Sequence, residues 1–229
     1  AGLRQQTEQP NKWALPGPMT MIDTLADRHY RSREKLAWEF ATILNEEARE
    51  LEEAGVDIIQ FDEPAFNVFF DEVEDWGVAA LERAAEGLKA ETVVHICYGY
   101  GIKANTDWKA TLGAEWRQYE RTFPLLQRSS IDIVSLECQH SHVPIDLMDL
   151  LRGKKVMVGA IDVASEVIET PDEVADVLRT ALQFVDADKL VASTNCGMAP
   201  MPRDVALAKM SALSAGAEIV RGELAATGR

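Results

Sequence analysis

A chain of 229 residues, 47% hydrophobic and 27% charged, has globular composition and the length to bury one sizeable core. Its formal net charge of -15 repels polyanions, which argues against nucleic acid and anionic membrane surfaces as partners and leaves small molecules or other proteins. No apolar run reaches the roughly 18 residues that span a bilayer, and the opening AGLRQQTEQPNKW lacks the apolar core of a signal peptide, so a cytoplasmic location is expected.

In chain order, KWALPGPM reads as a first strand, and SREKLAWEFATILNEEARELEEAG as a helix with Leu36, Phe40, Ile43, Leu44, Ala48 and Leu51 on one stripe, stopping at Gly55. VDIIQFDEP, TVVHICYG, IDIVSLEC, KVMVGAIDV and KLVASTNCG follow as further strands. Thr170, Pro171 and Glu173 spell a helix start with a capping box, and Val174, Val177, Leu178, Ala181 and Leu182 supply its buried face. A last helix from about Arg203 carries Val205, Met210, Leu213, Ala217 and Val220.

Strands alternating with helices predict an α/β fold with a parallel sheet, doubly wound or closed into a barrel. No G-x-G-x-x-G follows a strand, which weakens the dinucleotide-binding version. Polar residues gather where the strands end: Asp62 and Glu63, His95 and Cys97, Glu137, Asp162, Asn195 and Cys196. In a barrel those ends share the face on which active sites are built. Six units are legible against the eight of a (β/α)8 TIM barrel, so the expectation is one domain over residues 1–229 holding strands three to eight, with the first two βα units absent from this stretch.

His95 and Cys97, two residues apart, face the same way and can reach one metal ion. Zinc takes four ligands, prefers thiolate and imidazole and accepts carboxylate, so Glu137 and Cys196 at later strand ends complete a candidate site. Strand alternation sends Glu137 and Cys138 to opposite faces; Glu137 is taken as the inward one and Cys138 as packing. Singly, each cysteine reads better as a small buried hydrophobe, and only the joint placement at strand ends favours metal. His140 and His142 form a second H-x-H pair, in a loop with no Cys or carboxylate close in sequence, so solvent or substrate contact is the expected role. Of Asp62 and Glu63, one points inward and the other toward the helical layer; an inward carboxylate is suited to holding a substrate ammonium, and a capping or salt-bridge role is the alternative for one of the two.

GPMT (Gly17 to Thr20), FDEPA (Phe61 to Ala65), HICYG (His95 to Gly99), SLE (Ser135 to Glu137) and NCGM (Asn195 to Met198), in that order, resemble the catalytic domain of cobalamin-independent methionine synthase, most nearly the short single-domain core enzymes. The resemblance implies a (β/α)8 barrel whose zinc binds homocysteine through sulfur and whose product is methionine. It implies His95, Cys97, Glu137 and Cys196 as zinc ligands and Asp62 as the carboxylate that holds the homocysteine amino group. Two positions depart from the family pattern: Thr24 stands where a folate-stacking tryptophan is usual, and Ala164 where a histidine is proposed to protonate the departing folate nitrogen. Both are on the donor side, so the expected methyl donor is a methylcorrinoid or a donor protein, with methyltetrahydrofolate the conventional alternative. The stretch between Cys97 and Glu137 is longer than in the large enzyme, and its inserted part, Tyr100 to Phe123, is expected to pack, or to form a lid or donor-docking surface. Competing readings are a zinc methyltransferase acting on another thiol such as coenzyme M, and a non-catalytic zinc-binding barrel subunit.

Overall fold

The computed structural model describes residues 7–99 and 107–228. Its strands are β1 (Lys12–Pro16), β2 (Ile58–Asp62), β3 (Glu91–His95), β4 (Ile133–Glu137), β5 (Lys155–Gly159) and β6 (Leu190–Ser193), and they form one sheet in the order β1-β2-β3-β4-β5-β6. The β1–β2, β2–β3 and β5–β6 pairings are parallel. Neighbours in sequence are therefore neighbours in the sheet, as right-handed strand-helix-strand units require. The fold is α/β, with six parallel strands in an open sheet, as a partial TIM barrel has.

By their contacts the residues fall into two compact units, 1–96 with 121–134, and 97–120 with 135–229. In the first, α1 (Pro18–Asp23) and α2 (Arg33–Glu53) follow β1, and a helical stretch runs from α3 (Phe70–Glu72) through a π turn at Val73–Gly77 into α4 (Val78–Ala85). Ser32 caps α2 by accepting from the Lys35 N–H. The α2 stripe is rotated from its expected position. Ala37, Ala41, Leu44, Asn45 and Ala48 are buried, Leu36, Phe40 and Leu51 are half-buried, and Ile43 is 54% exposed. The inward face is built mainly of alanines, which permit close approach, and Asn45 donates from Nδ2 to the Ala84 and Glu86 carbonyls, both at 2.9 Å. A buried amide satisfied in this way is tolerated on a face where hydropathy alone places an aliphatic residue.

Between β3 and β4 the chain forms α5 (Tyr119–Arg128), most of which belongs to the first unit. In the second unit, α6 (Pro171–Ala181) and α7 (Arg203–Thr227) pack on each other. The capping box is present: Thr170 Oγ1 accepts from the Glu173 N–H at 3.2 Å and Glu173 Oε2 accepts from the Thr170 N–H at 2.7 Å. Val174, Ala175 and Leu178 of α6 meet Leu213, Ala217 and Val220 of α7 in one apolar cluster with Ala160 and Ile161. Gly216 permits that contact, since a Cβ there would lie 2.5 Å from Val174 Cγ1. Expected core residue Met210 is instead 48% exposed, while its neighbour Lys209 is fully buried. The reason is an ion pair: Lys209 Nζ donates to Glu169 Oε2 at 2.9 Å and to the Asp162 carbonyl at 2.9 Å.

Candidate metal centre

The GPMT motif has a local structural meaning. Glu63, fully buried one residue past β2, turns its carboxylate onto the start of α1, accepting from the N–H groups of Met19 at 3.0 Å and Thr20 at 2.9 Å and from Thr20 Oγ1 at 2.7 Å. A Cβ at Gly17 would stand 2.3 Å from that carboxylate, so only glycine admits it. Burial pushes the Glu63 carboxyl up to about 7 despite these three hydrogen bonds, with the nearby Asp62 charge acting in the same direction.

Asp62 takes the opposite direction, as strand alternation requires. It is the register partner of Pro16 on β1 and of His95 on β3, so Asp62 and His95 share one face of the sheet side by side. Its Oδ1 accepts from Gln60 Nε2 at 2.7 Å, and Gln60 Oε1 accepts from Lys12 Nζ at 2.6 Å. Burial lowers the Lys12 ammonium below its ordinary range, and Asp62 acts against that.

β3 ends at His95, and Cys97 lies two residues beyond it; Cys196 lies three residues beyond β6. One ligand atom each of His95, Cys97 and Cys196 lies within 4.8 Å of the others. The two sulfurs are 3.7 Å apart, with the Cys196 thiol donating to Cys97. Hydrogen bonding from Cys196 comes first, then burial, then the Cys196 and Glu137 charges, in pushing the Cys97 thiol well above the usual thiol range. Two thiols, an imidazole and a buried carboxylate form a donor set suited to a divalent cation, which replaces the thiol protons when it binds. The residues present therefore fit zinc by donor type.

Glu137 ends β4 and is fully buried, and its charge is felt at Cys97, Tyr98, Tyr119 and Cys138. It is not among the three residues whose ligand atoms converge, although it lies in the same unit as the two cysteines. Cys138 has its thiol pushed up by burial and by the Glu137 charge, which suits packing. His140 and His142 are exposed and outside the cluster: His140 Nδ1 lies 3.4 Å from Asp162 Oδ2, and His142 Nδ1 lies 3.1 Å from the Ala114 carbonyl. Thr24 ends α1, donating to the Met21 carbonyl, and Ala164 is exposed with its N–H on Asp162 Oδ1.

Residues 100–106 of the long segment after Cys97 lie outside the described residues. The rest of that segment packs around Tyr98. Its ring centroid is 4.8 Å from Trp116, 5.3 Å from Tyr119 and 5.8 Å from Trp108, and its hydroxyl donates to Gln118 Oε1 at 3.0 Å. The capping role expected for one of Asp62 and Glu63 falls to Glu63, whereas sequence reasoning missed Lys209 as a buried cation and Asn195 as a hydrogen-bonding hub. For Lys209 the signal was available: a lysine interrupting the apolar stripe of the last helix.

Fold and site together define an α/β protein of partial-barrel type, with a cluster of two thiols and an imidazole that could hold a metal ion past the carboxyl ends of its strands. Residues 3–218 match the family model described as "Cobalamin-independent synthase, Catalytic domain", and the chain belongs to that family. It is 31% identical over 214 residues to a methionine synthase of Sulfurisphaera tokodaii, covering 93% of this chain and 57% of that protein. It is also 32% identical over 246 residues to 2-hydroxypropyl-CoM lyase of Xanthobacter autotrophicus, covering 97% and 65%. A solved B12-independent methionine synthase from Shewanella sp. W3-18-1, in complex with selenomethionine, is 76% identical with a TM-score of 0.95, covering 98% of this chain and 66% of that one. The chain spans 57% and 59% of the length of two curated methionine synthases that it matches, less than two thirds of each. No helix among the described residues is long and apolar enough to cross a membrane.

Proposed function

We propose that this chain is the zinc-bearing barrel domain of an enzyme that transfers a methyl group to the thiol of homocysteine and forms methionine. The observation that carries the reading is the convergence of His95, Cys97 and Cys196 within 4.8 Å, with Asp62 beside His95 in the sheet register. One side of the substrate is thiol and the other is ammonium, and the residues offer a metal centre for the first and a carboxylate for the second. The 76% identity to a methionine synthase solved with selenomethionine, the selenium analogue of the product, supports the same reading.

In this reading His95, Cys97, Glu137 and Cys196 hold zinc, and Asp62 holds the homocysteine amino group by a charge-assisted hydrogen bond. When bound, zinc supplies the Lewis acidity that keeps a substrate thiol deprotonated at neutral pH, where a free thiol is largely protonated and a poor nucleophile. Cysteine and glutamate ligands put negative charge around that sulfur, which preserves its nucleophilicity. Asp62, anchored by Gln60, fixes the amino-acid end so that the sulfur reaches the metal in one orientation. Thr24 and Ala164 stand where the family pattern has the aromatic side chain and the imidazole that serve a folate donor, so a methylcorrinoid or a donor protein is the proposed source.

The experiment is zinc-edge absorption of the natural full-length protein with and without homocysteine. Replacement of an oxygen or nitrogen ligand by sulfur is expected, and an unchanged spectrum rejects the reading. Turnover with methylcobalamin but not with methyltetrahydrofolates is the expected donor result; efficient turnover with the folates alone rejects the donor assignment. The similarity to 2-hydroxypropyl-CoM lyase favours a second reading in which the thiol is coenzyme M. That thiol has no ammonium, so the two readings separate on the effect of changing Asp62.

A further inference from the structure

Asn195 precedes Cys196 and is 1% exposed. Its side-chain amide behaves as a peptide group does in a sheet ladder. Oδ1 accepts from the Cys138 N–H at 3.0 Å, and Nδ2 donates to the Gln139 carbonyl at 2.8 Å. Its own backbone N–H donates to the Ile161 carbonyl at 2.9 Å. The amide therefore reaches from beyond β6, across the end of β5, to the backbone that follows β4.

Gly159, the last residue of β5, lies beneath this bridge. Its carbonyl accepts from the N–H groups of both Cys138 and Gln139, at 3.2 and 2.9 Å. A Cβ on Gly159 would stand 2.4 Å from Asn195 Oδ1 and 2.8 Å from Asn195 Cα, so glycine is a requirement of the bridge rather than a turn preference. On the far side, Thr194 Oγ1 donates to the Cys196 carbonyl at 2.8 Å.

Glu137 immediately precedes Cys138, and Cys196 immediately follows Asn195. Two hydrogen bonds from one amide thus join the backbone at two candidate ligands whose strands are not neighbours in the sheet. We propose that Asn195 is a positioning residue for the metal centre: it fixes the separation of Glu137 from Cys196 and thereby sets the affinity for zinc. This rests on reading Cys97, Glu137 and Cys196 as zinc ligands. Ligand atoms must sit within about 0.2 Å of their preferred metal distances, and partners outside the ligand set typically change metal affinity about 10–100-fold. A carboxamide is also specific here, because the bridge needs one acceptor and one donor, and aspartate supplies no donor when ionised.

The test is zinc affinity by chelator competition for the full protein and for Asn195→Ala, Asn195→Asp and Gly159→Ala. Asn45→Ala, which removes another buried asparagine with two carbonyl partners, is the control. The three site variants are expected to bind zinc about 10–100-fold more weakly, while Asn45→Ala stays within about twofold of the wild type. Cobalt(II) substituted into Asn195→Asp is expected to show shifted absorption bands. Asn195→Asp keeps the side-chain volume and carries the test if Asn195→Ala does not fold. Affinities of the Asn195 variants within about twofold of the wild type, or an equal loss in Asn45→Ala, overturn the proposal. Failure of the underlying site reading shows separately, as zinc binding by the wild type that Cys97→Ser leaves intact.

Discussion

The sulfurs of Cys97 and Cys196 lie 3.7 Å apart although 99 residues separate them in the chain. Cys97→Ser and Cys196→Ser are expected to weaken zinc binding by more than about 100-fold, beyond the range typical for partners outside the ligand set. Glu137→Gln keeps a neutral oxygen and is expected to weaken it less. Zinc content after dialysis against a graded chelator series measures all three.

Asp62 shares a sheet face with His95. In the proposed reading Asp62 holds the substrate ammonium, so Asp62→Asn is expected to remove the charge from that hydrogen bond, a loss on the order of 1.5–3 kcal/mol or about 10–100-fold in KM for homocysteine. A thiol lacking the amino group is expected to be unaffected. Steady-state kinetics with the two thiols in parallel test this, and an equal effect on both removes Asp62 from amino-group recognition.

Glu63 has a folded-state pKa of about 7 against an ordinary value of 4.5, because burial disfavours its charge. The folded state therefore holds this proton more tightly than the unfolded chain. The corresponding stability, on the order of 3 kcal/mol, is fully present below about pH 4.5 and is lost as pH rises through about 7. Urea unfolding of the wild type and Glu63→Gln across that window tests it; the variant is expected to lack this part of the slope. Gly17→Ala is expected to destabilise at every pH, since its Cβ collides with the same carboxylate.

Lys209 and Glu169 form a pair whose side chains are 0% and 3% exposed. Lys209→Met leaves a carboxylate buried without its cation and is expected to cost about 3–5 kcal/mol, whereas the double variant Lys209→Met/Glu169→Leu recovers most of that loss. Thermal unfolding of the two single variants and the double variant completes the cycle. The pair also holds the loop that carries Asp162, because Lys209 donates to the Asp162 carbonyl and Glu169 Oε1 accepts from the Asp162 N–H.

Much of the architecture was legible because local rules and tertiary demands agree. The capping box at Thr170 needs only residues three apart, and the strands announce themselves as short Val- and Ile-rich runs. Reading failed where a residue's partner lies far away in sequence. Ile43 faces solvent, and Asn45 faces inward, because of carbonyls about 40 residues further on at Ala84 and Glu86. Lys209 is buried because Glu169, 40 residues earlier, is buried opposite it.

By itself the sequence determined the α/β class, the order of strands and helices and the residue types able to hold a soft divalent metal, since these follow from periodicity and from side-chain chemistry. Only the tertiary structure decided which of the neighbouring carboxylates Asp62 and Glu63 joins the His95 face and which is spent on the start of α1. It alone brought Cys97 to Cys196 and placed the Asn195 amide across the end of β5. The physical reason is that ligand convergence and buried hydrogen bonding are satisfied between strands, at distances set by sheet register, and register is a property of the folded chain.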